Sequence, residues 1–434
     1  MSLQADPASL PRLLSGMPVD GAMGLEEHWA IHGETPFAKR RERRGTGALI
    51  DLVERAGLLG RGGGAFPAAT KMHAVAGARG RPIVLANVAE GEPASDKDRV
   101  LMEGLPHLVL DGGVLAARAL GADELILCID ESGEAALESA TRAIYERERA
   151  GGDALKVSVQ IVPAGYVSGQ ESALVNLCNG GQALPAFASP MPFECGVRRR
   201  PTLINNAETL AHLALIARYG PEWFRALGTQ AHPGSTMLTL SGAITHPGVY
   251  EIEQGAPLAS LIEAAGGMTG QIRAMLLGGY AGTWLEGGSI STLELSNDRL
   301  AAHEASLGAG VVVLLSREAC PVAETARVAS WLAAQSSGQC GPCVHGLQAI
   351  AGAIAQLAAG TASAGTGQRI ERWTSMVTGR GACAHPDGVL SFLTSAVNVF
   401  AEEFADHARH GPCDACSRAK ELPLPALAEM ATAA

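Results

Sequence analysis

Helical segments alternate with short apolar runs between residue 46 and about residue 220, and this alternation limits the possible folds more than any other feature. The runs PIVLANVA, ELILCID and KVSVQIV are short, aliphatic and partly β-branched, as buried parallel strands are. The segments ALIDLVERAGL and GGVLAARALGA have their apolar residues at helical spacing. The pattern predicts a layered α/β domain, and in such domains ligands bind at the carboxyl ends of the strands.

Composition narrows the class of protein. The chain has 434 residues, of which 47% are hydrophobic and 18% are charged, so we expect several folded domains rather than disorder. The net charge of −11 argues against a general nucleic-acid-binding protein. The one basic run, KRRERR at 39–44, predicts a solvated helix end, with a phosphate or partner contact as the alternative.

The sequence contains no signal for membrane insertion. No run approaches about 18 apolar residues, and the first residues lack the basic and apolar regions of a signal peptide. We therefore expect a cytoplasmic protein, in a compartment where thiols stay reduced. Nine cysteines in such a compartment favour metal or redox use over disulfides.

The sequence changes character near residue 233. TMLTLSGAITHPGVYEIEQG predicts two strands joined by a turn at His246-Pro247-Gly248. A helix at PLASLIEAAGG and a return to strand at AMLLGGYAGTWL complete a small α+β module. We expect the last residues of the chain to be loose. Apolar spacing predicts helices at 321–335, 343–359, 366–379 and 387–407.

The stretch GLLGRGGGAFPAATK, residues 57–71, is the strongest site in the first half of the chain. Glycines can turn their backbone N–H groups toward one anion, and Arg61 and Lys71 add positive charge at both ends. The spacing is neither G-x-G-x-x-G nor a Walker loop, so a tight turn before a helix is the alternative. Glu90 and Glu92, expected near this loop, suit ribose or carboxamide groups better than phosphate.

Three further stretches place polar residues or glycine directly after apolar runs. They are ANVAEGEP at 86–93, YVSGQESAL at 166–174 and PTLINNAETL at 201–210. Loops at the strand ends of one α/β domain can converge on a single pocket. Asn205 and Asn206 offer the amide donors and acceptors that a flavin ring or ribityl chain requires, with a turn or helix cap as the alternative.

The cysteines are of two kinds. Cys340 and Cys343 form a C-x-x-C pair, and Ser337 stands where a C-x-x-C-x-x-C run would have its first cysteine. From the residues alone, this is a cluster site with one ligand exchanged, a plain dithiol or the relic of a lost site. Cys413 and Cys416 form a second C-x-x-C pair. The single cysteines, expected to be small buried apolar residues, are Cys128, Cys178, Cys195 and Cys320.

Several of these motifs, in this order, resemble the NADH-binding flavoprotein subunit of respiratory complex I, a family also found in NAD-reducing hydrogenases and formate dehydrogenases. The motifs are GRGGGAFP…K, N-x-x-E-G-E-P, Y-x-x-G-x-E-x-A-L, NN-x-E-T, SGAITHPGVYE and SSGQCGPC…GACAH. The likeness runs from about residue 46 to residue 407. It implies an α/β fold class, with a Rossmann-like FMN-binding domain, a small β-grasp (SLBB) module and a C-terminal helical bundle. The expected domains are an N-terminal helix and connector (1–45), the FMN-binding domain (46–230), the SLBB module (231–318), an iron–sulfur-binding bundle (319–410) and a tail (411–434).

The resemblance also implies a flavin site. NADH would stack on FMN with the aid of Phe66 and Glu92, hydride would pass to the flavin, and single electrons would leave through iron–sulfur centres. The flavin carries the chemistry, so no separate catalytic side chain is expected. The implied cofactor-binding residues are Gly60, Arg61, Gly62, Gly63, Phe66, Lys71, Asn87, Glu90, Glu92, Tyr166, Gly169, Gln170, Glu171, Asn205, Asn206 and Thr209.

The chain departs from the family at several positions. Ala89 and Gln170 stand where the family usually has Asp and Glu, and Ala74, Ala188 and Met191 replace Phe, Lys and Phe. Each lost aromatic platform removes roughly 0.5–1.5 kcal/mol of stacking beyond burial. We therefore expect FMN binding to be kept better than NADH binding.

The family's cluster motif is matched only in part. Cys340 and Cys343 correspond to its second and third cysteines, Cys383 follows 40 residues after Cys343, and Ser337 occupies the first position. Three thiolates can hold a [4Fe–4S] core. The fourth iron would then take Ser337, water or nothing, and a three-iron or absent cluster is the further alternative. Other candidate ligands for that iron are His345, Cys413 and Cys416.

Three functions fit these motifs. The expected one is an NADH-dependent FMN and iron–sulfur oxidoreductase that passes electrons to a ferredoxin-like protein or a thioredoxin-fold [2Fe–2S] subunit. The second uses a ferredoxin-type donor instead of NADH, and the third is a non-catalytic docking subunit that kept the fold. Because the complex I family works in assemblies, the resemblance implies a hetero-oligomer.

Overall fold

The structure is a computed structural model that describes residues 9–36, 46–186, 190–418 and 420–425. The basic run at 39–44 and Ala188 lie outside the described residues. A short helix, α1 (Leu25–His32), precedes the main body of the chain and packs on the first domain.

Four parallel strands form the first sheet, in the order β3-β2-β1-β4. Val84 and Ala86 of β1 belong to the core cluster on one face, whereas Ile83 and Leu85 belong to the cluster on the other face. Helices therefore cover both faces, which explains why the strand sequences are continuously apolar. The predicted Rossmann-like α/β domain is confirmed. Its strands are β1 (Ile83–Asn87), β2 (Glu124–Asp130), β3 (Lys156–Val162) and β4 (Thr202–Asn206).

Nine helices that the structure describes accompany this sheet. The helix Pro106–Leu120 is almost completely buried, and it packs against the helix Ala207–Tyr219. The helices are α2 (Thr46–Ala56), α3 (Ala68–Gly77), α4 (Lys97–Gly104), α5 (Pro106–Leu120), α6 (Glu134–Arg149), α7 (Glu171–Cys178), α8 (Pro192–Cys195), α9 (Ala207–Tyr219) and α10 (Pro221–Arg225).

Among the described residues, no single helix has both the length and the apolar character to cross a bilayer. The consecutive pair α4 and α5 has enough apolar length when taken together, but the two helices meet at 97°. Fourteen of the residues of α5 are buried inside the α/β domain, so this apolar stretch is accounted for by the protein core.

The carboxyl ends of β1 and β4 lie side by side. Asn87, the last residue of β1, is aligned with Asn206, the last residue of β4. The chain leaves β1 toward β2 on one side while β4 lies on the other, so this is the switch point at which α/β sheets bind ligands.

A second sheet of five strands, in the order β6-β5-β9-β7-β8, forms the predicted SLBB module. Strands β5 and β6 are an antiparallel pair joined through the predicted turn at His246-Pro247-Gly248, and the central β9 is parallel to β5. The elements are β5 (Ser235–Gly242), β6 (Gly248–Glu253), α11 (Leu258–Ala264), β7 (Ile272–Leu277), β8 (Thr283–Glu286), α12 (Asn297–Leu300) and β9 (Val311–Ser316).

From Pro321 to His410 the chain is mainly helical. One correction concerns the predicted single helix at 387–407, which is broken at the buried Phe400 because this residue has φ −110° and ψ 31°. A π-helical turn, Pro342–Leu347, precedes α14 and contains Cys343. The helices are α13 (Pro321–Ala334), α14 (Gln348–Ala358), α15 (Thr366–Val377), α16 (His385–Val399) and α17 (Ala401–His410).

The described part of the final segment, residues 411–418 and 420–425, is packed against the bundle and the SLBB module, so the expected loose tail is wrong for this part, whereas residues 426–434 lie outside the described residues. The Glu421 carboxylate accepts a 2.8 Å hydrogen bond from the N–H of Ser316, and Leu422 is buried. The hydroxyl of Tyr280 donates to the carbonyl of Pro423. The sequence of this segment lacks helical periodicity, and its order comes from partners about a hundred or more residues away.

Candidate functional site

The glycine loop between β-bridged residues Leu59 and Pro67 is closed on itself. The N–H of Gly60 donates to the carbonyl of Phe66 at 2.9 Å. Gly63 has φ +105°, a conformation that favours glycine. A Cβ at Gly60 would lie 3.2 Å from the Phe66 carbonyl oxygen, so a side chain there would force the turn to widen by a few tenths of an ångström.

Arg61 links the glycine loop to residues that lie behind it in the protein interior. Its backbone N–H donates to the hydroxyl of Thr209 at 2.9 Å, and its buried guanidinium donates to the carbonyl of Ser235 at 3.0 Å. Burial lowers the pKa of Arg61, and nearby Glu208 opposes that shift. The charged group therefore fastens the glycine loop to the SLBB module.

Asn205 and Asn206 have different surroundings, although they are adjacent in β4. The side-chain oxygen of Asn206 accepts from the N–H groups of Glu208 and Thr209, so this residue caps α9. Its amide donates to Asp98 at 2.5 Å. Asn205 is 4% exposed, and its amide nitrogen is buried without a hydrogen-bond partner among the described residues. The cap alternative therefore holds for Asn206 only.

The loop after β1 meets the loop before α7. The side-chain amide of Asn87 donates to the carbonyl of Gly169 at 2.9 Å, and its oxygen accepts from the N–H of Ala89 at 3.2 Å. A Cβ at Gly91 would lie only 2.6 Å from the carbonyl oxygen of Gly165. These two loops thus pack through their backbones.

Lys71 and Glu171 form an ion pair across the site. The Lys71 amine also donates to the carbonyl of Ile204 at 3.3 Å, and its side chain is 29% exposed. The amine therefore lies beside the carboxyl end of β4 with one side open to the site.

Glu90 and Glu92 are only partly exposed, and protein atoms surround both carboxylates. Burial, together with the charge of Asp98, raises the pKa of Glu90 to about 7. Burial also raises the pKa of Glu92 to about 7, although N–H donors such as that of Tyr280 oppose the shift. Both groups are therefore poised to change protonation near neutral pH.

A buried cation that was not predicted from the sequence, Lys97, lies near Glu90. The Lys97 amine is 2.8 Å from a carboxylate oxygen of Glu208 and 3.0 Å from one of Asp98. Burial alone would lower the pKa of Lys97, but the two carboxylates outweigh burial and raise it. The GEPASDKD sequence after β1 was the available signal, since charged residues close to a strand end are unusual in a core.

All these groups surround one cavity of about 1100 Å³ at the switch point of the first sheet. It also receives Gly278 and Gly308 from the SLBB module and His385 from the bundle, none of which was predicted. Every predicted cofactor-binding residue lies on its wall: Gly60, Arg61, Gly62, Gly63, Phe66, Lys71, Asn87, Glu90, Glu92, Tyr166, Gly169, Gln170, Glu171, Asn205, Asn206 and Thr209.

The predicted cluster cysteines come together next to this cavity. Burial raises the pKa of the Cys343 thiol to about 11, and Cys340 and Cys383 lie close enough to add to that shift. The hydroxyl that contacts Cys343 belongs to Ser336, the neighbour of the predicted ligand Ser337. Cys383 itself lies on the wall of the cavity.

The other three cysteines of the bundle region and final segment form a group of their own. Cys320 is buried as predicted, but it is not isolated, because its sulfur lies 3.4 Å from that of Cys416. Cys413 and Cys416, which were alternative candidates for the cluster, lie with Cys320 and His407 in this separate group.

Three family models match the chain over the regions just described. The Nuo51 FMN-binding domain matches residues 53–215, the SLBB domain matches 237–276, and the NADH-ubiquinone oxidoreductase-F iron–sulfur binding region matches 323–407. A similar protein is the F 2 subunit of NADH-quinone oxidoreductase from Rhizobium meliloti (strain 1021), 30% identical over 93% of this chain and 99% of that protein. The chain belongs to the family of NADH-quinone oxidoreductase F subunits.

Other members and one related enzyme agree with this assignment. The F subunit of NADH-quinone oxidoreductase from Salmonella typhimurium (strain LT2) is 30% identical over 88% of each chain. The crystal structure of an NAD⁺-reducing [NiFe]-hydrogenase in the air-oxidized state superposes with a TM-score of 0.81 at 29% identity, covering 98% of this chain and 70% of that chain. The quinone oxidoreductase relatives are subunits of larger enzymes, which supports a hetero-oligomeric assembly for this member of the family.

This member of the F-subunit family is an FMN- and iron–sulfur-dependent oxidoreductase, and its cavity fits FMN. The volume of about 1100 Å³ exceeds the roughly 300–1,000 Å³ of typical ligand pockets. Asn205, whose buried amide has no partner among the described residues, lines the cavity, a Cβ on Gly64 would meet no atom within 4 Å, and Phe66 is 50% exposed at the wall. An aromatic face, a free amide donor and open backbone are the groups that a flavin nucleotide requires.

Proposed function

We propose that this chain oxidises NADH at FMN and passes the electrons through an iron–sulfur centre to a partner protein. The observation that carries the proposal is the single cavity at the switch point of the first sheet, with Cys383 on its wall. FMN, when bound, takes a hydride and releases electrons singly. One wall therefore holds the flavin residues and a cluster thiol, so electrons have a short path out of the cavity.

Different residues of the cavity would bind different parts of FMN. The glycine loop lines the cavity and would offer backbone N–H groups to a phosphate, and Lys71 lies on the same wall with its amine. Asn205 lines the cavity and would offer its unpartnered amide to the ring or ribityl chain, and the half-exposed Phe66 would offer an aromatic face to the ring or nicotinamide. Glu92 holds a carboxyl whose pKa of about 7 lets it carry a proton at neutral pH.

Cys340, Cys343 and Cys383 are our proposed cluster ligands. Their proximity supports this assignment, as does the π-helical turn that presents Cys343, since such turns are frequent at functional sites. Ser337 stays the predicted oxygen ligand, and Ser336, which contacts Cys343, is a second candidate. An oxygen ligand would change the potential and lability of the cluster.

We further propose a ferredoxin-like or thioredoxin-fold [2Fe–2S] protein as the electron acceptor within a hetero-oligomer. The subunit status of the quinone oxidoreductase relatives supports an assembly. We also propose a cytoplasmic location, supported by nine cysteines whose pattern favours metal or redox use, which fits a reducing compartment. Co-purification from the native host and cell fractionation test these two statements.

One experiment tests the reaction. The full chain is purified without oxygen, FMN and iron are quantified, and NADH is titrated while flavin absorbance and EPR spectra are followed. We expect bound FMN that NADH bleaches, followed by an iron–sulfur EPR signal. Reduction by a ferredoxin but not by NADH would replace the donor, and protein without FMN or iron would overturn the proposal in favour of a docking subunit.

A pair of variants assigns the cluster ligands. Cys383→Ala, which leaves no ligand atom, should keep FMN and its bleaching by NADH but lose the iron–sulfur signal. Cys178→Ala, which changes a half-buried cysteine of α7, is the matched control and should keep both. Unchanged iron in Cys383→Ala would contradict the assignment.

A further inference from the structure

Four metal-binding side chains meet at the end of the helical bundle, away from the residues assigned to FMN and the cluster. They are Cys320, His407, Cys413 and Cys416, and their ligand atoms all lie within 4.8 Å of one another. Cys320 and His407 are buried, each with 3% exposure, Cys416 is half-buried and Cys413 is exposed. Two of the four side chains are therefore fixed in the protein interior, and the thiol of Cys413 lies at the surface.

The distances suit a single ion. The Cys320 sulfur is 3.4 Å from His407 Nε2 and 3.4 Å from the Cys416 sulfur, and the two sulfurs of the C-x-x-C pair are 3.7 Å apart. With Zn–S of about 2.3 Å and Zn–N of about 2.0–2.1 Å, a tetrahedron places two sulfurs about 3.8 Å apart and a sulfur and a nitrogen about 3.6 Å apart. A four-iron cluster binds each ligand through a different iron and needs its ligand atoms farther apart.

The geometry points to a structural zinc site formed by Cys320, His407, Cys413 and Cys416. Three thiolates and one imidazole are a closed tetrahedral ligand set of the kind that structural zinc ions use, and the C-x-x-C spacing is typical of such sites. Binding converts three thiols to thiolates and releases three protons. With no open position, the ion holds structure and takes no part in electron transfer.

Neighbouring groups support the negative charge of such a site. Cys320 precedes the first turn of α13, and its sulfur accepts from the N–H of Ala323 at 3.4 Å. The amine of Lys420 lies 2.8 Å from the carbonyl oxygen of Cys416. Zn²⁺ with three thiolates and a neutral imidazole has a net charge of −1. A helix N-terminus and an ammonium group nearby both stabilise this negative charge.

The ion would join three separate parts of the chain. Cys320 lies between the SLBB module and the bundle, His407 lies in the last turn of α17, and the C-x-x-C pair begins the final segment. That segment then runs back to Ser316 and Tyr280 of the SLBB module. Zinc at this point therefore clamps the final segment across the junction of the two domains.

Metal analysis of the full chain, expressed with zinc available, tests the site. We expect about one zinc per chain in the parent protein and a loss of roughly tenfold or more in Cys413→Ser and Cys416→Ser, with FMN and iron unchanged. Cys340→Ala should show the reverse, losing iron and keeping zinc. Cys178→Ser is the matched control and should keep all three.

A second measurement does not depend on variants. Removal of zinc from the parent protein with a thiol reagent and a chelating dye should make residues 411–425 more sensitive to protease while FMN stays bound. Parent protein without zinc, zinc that persists in both C-x-x-C variants, or iron lost in place of zinc from these variants would each overturn the inference.

Discussion

The backbone N–H of Tyr280 donates a 2.7 Å hydrogen bond to the carboxylate of Glu92, so the acidic loop after β1 is fastened to the SLBB module at the flavin cavity. Tyr280 also donates through its hydroxyl to Pro423 in the final segment. One tyrosine therefore connects the acidic loop at the cavity, the SLBB module and the end of the described chain.

Replacement of this carboxylate should change the pH dependence of stability. Glu92 has a folded-state pKa of about 7 against an ordinary value of 4.5. The folded protein binds the proton more tightly, so this stabilisation is complete below about pH 4.5 and is lost as the pH rises through about 7. In Glu92→Gln, the fall in Tm between pH 4.5 and 7 should be smaller than in the parent protein.

The control for this measurement is Glu138→Gln, which changes an exposed carboxylate of α6. The plot of its Tm against pH should run parallel to that of the parent protein. Tm should fall somewhat with rising pH in every variant, because the pKa of Glu90 is also raised. A Glu92→Gln profile parallel to the parent would show that Glu92 ionises normally.

Removal of the buried cation Lys97 should destabilise the protein strongly. Lys97→Met leaves Asp98 and Glu208 buried without their shared partner, at a cost of about 3–5 kcal/mol in the free energy of unfolding. Lys156→Met removes a surface pair whose lysine side chain is 68% exposed and should cost about 1 kcal/mol or less. Denaturant unfolding of both variants makes the comparison, and equal costs would refute the difference.

The two adjacent asparagines should separate cofactor binding from stability. Asn206→Ala removes the cap of α9 and should cost about 1–2 kcal/mol of stability. Asn205→Ala removes only an unpartnered amide at the cavity and should weaken FMN affinity by roughly tenfold, the equivalent of about one hydrogen bond. Fluorescence titration with FMN and thermal unfolding give the two values, and unchanged FMN affinity in Asn205→Ala would count against its role.

Close backbone contact makes Gly91 sensitive to even one added carbon. A Cβ there would lie 2.6 Å from the carbonyl oxygen of Gly165 and 3.0 Å from that of Tyr166, so Gly91→Ala should lose about 1–3 kcal/mol of stability. Gly77→Ala at the end of α3, where no atom lies within 4 Å of the new Cβ, should be neutral or stabilising. A Tm of Gly91→Ala equal to that of the parent would mean that the two loops can move apart.

Much of the site was predictable because it consists of short-range sequence features. The apolar runs predict strands at β1 and β4, and the polar residues that end them, Asn87 and Asn206, can then meet at the carboxyl edge of a parallel sheet, as they do in the structure. The glycine loop and the C-x-x-C pair at Cys340 are likewise short-range features. Which amide of β4 is free was not predictable, since it depends on the position of Asp98 relative to the start of α9.

The amino-acid sequence by itself determined the layered α/β domain, the small α+β module that follows it and the C-terminal helices, because strand burial and turn chemistry act over a few neighbouring residues. The family resemblance of its motifs added the SLBB assignment and the residues expected to bind the cofactor. Only the tertiary structure decided that Lys97 lies between Asp98 and Glu208, and that Cys320 and His407 meet the final C-x-x-C pair. The physical reason is that these groups are brought together by the packing of whole helices and sheets, and single residues far apart along the chain carry no local sign of their partners.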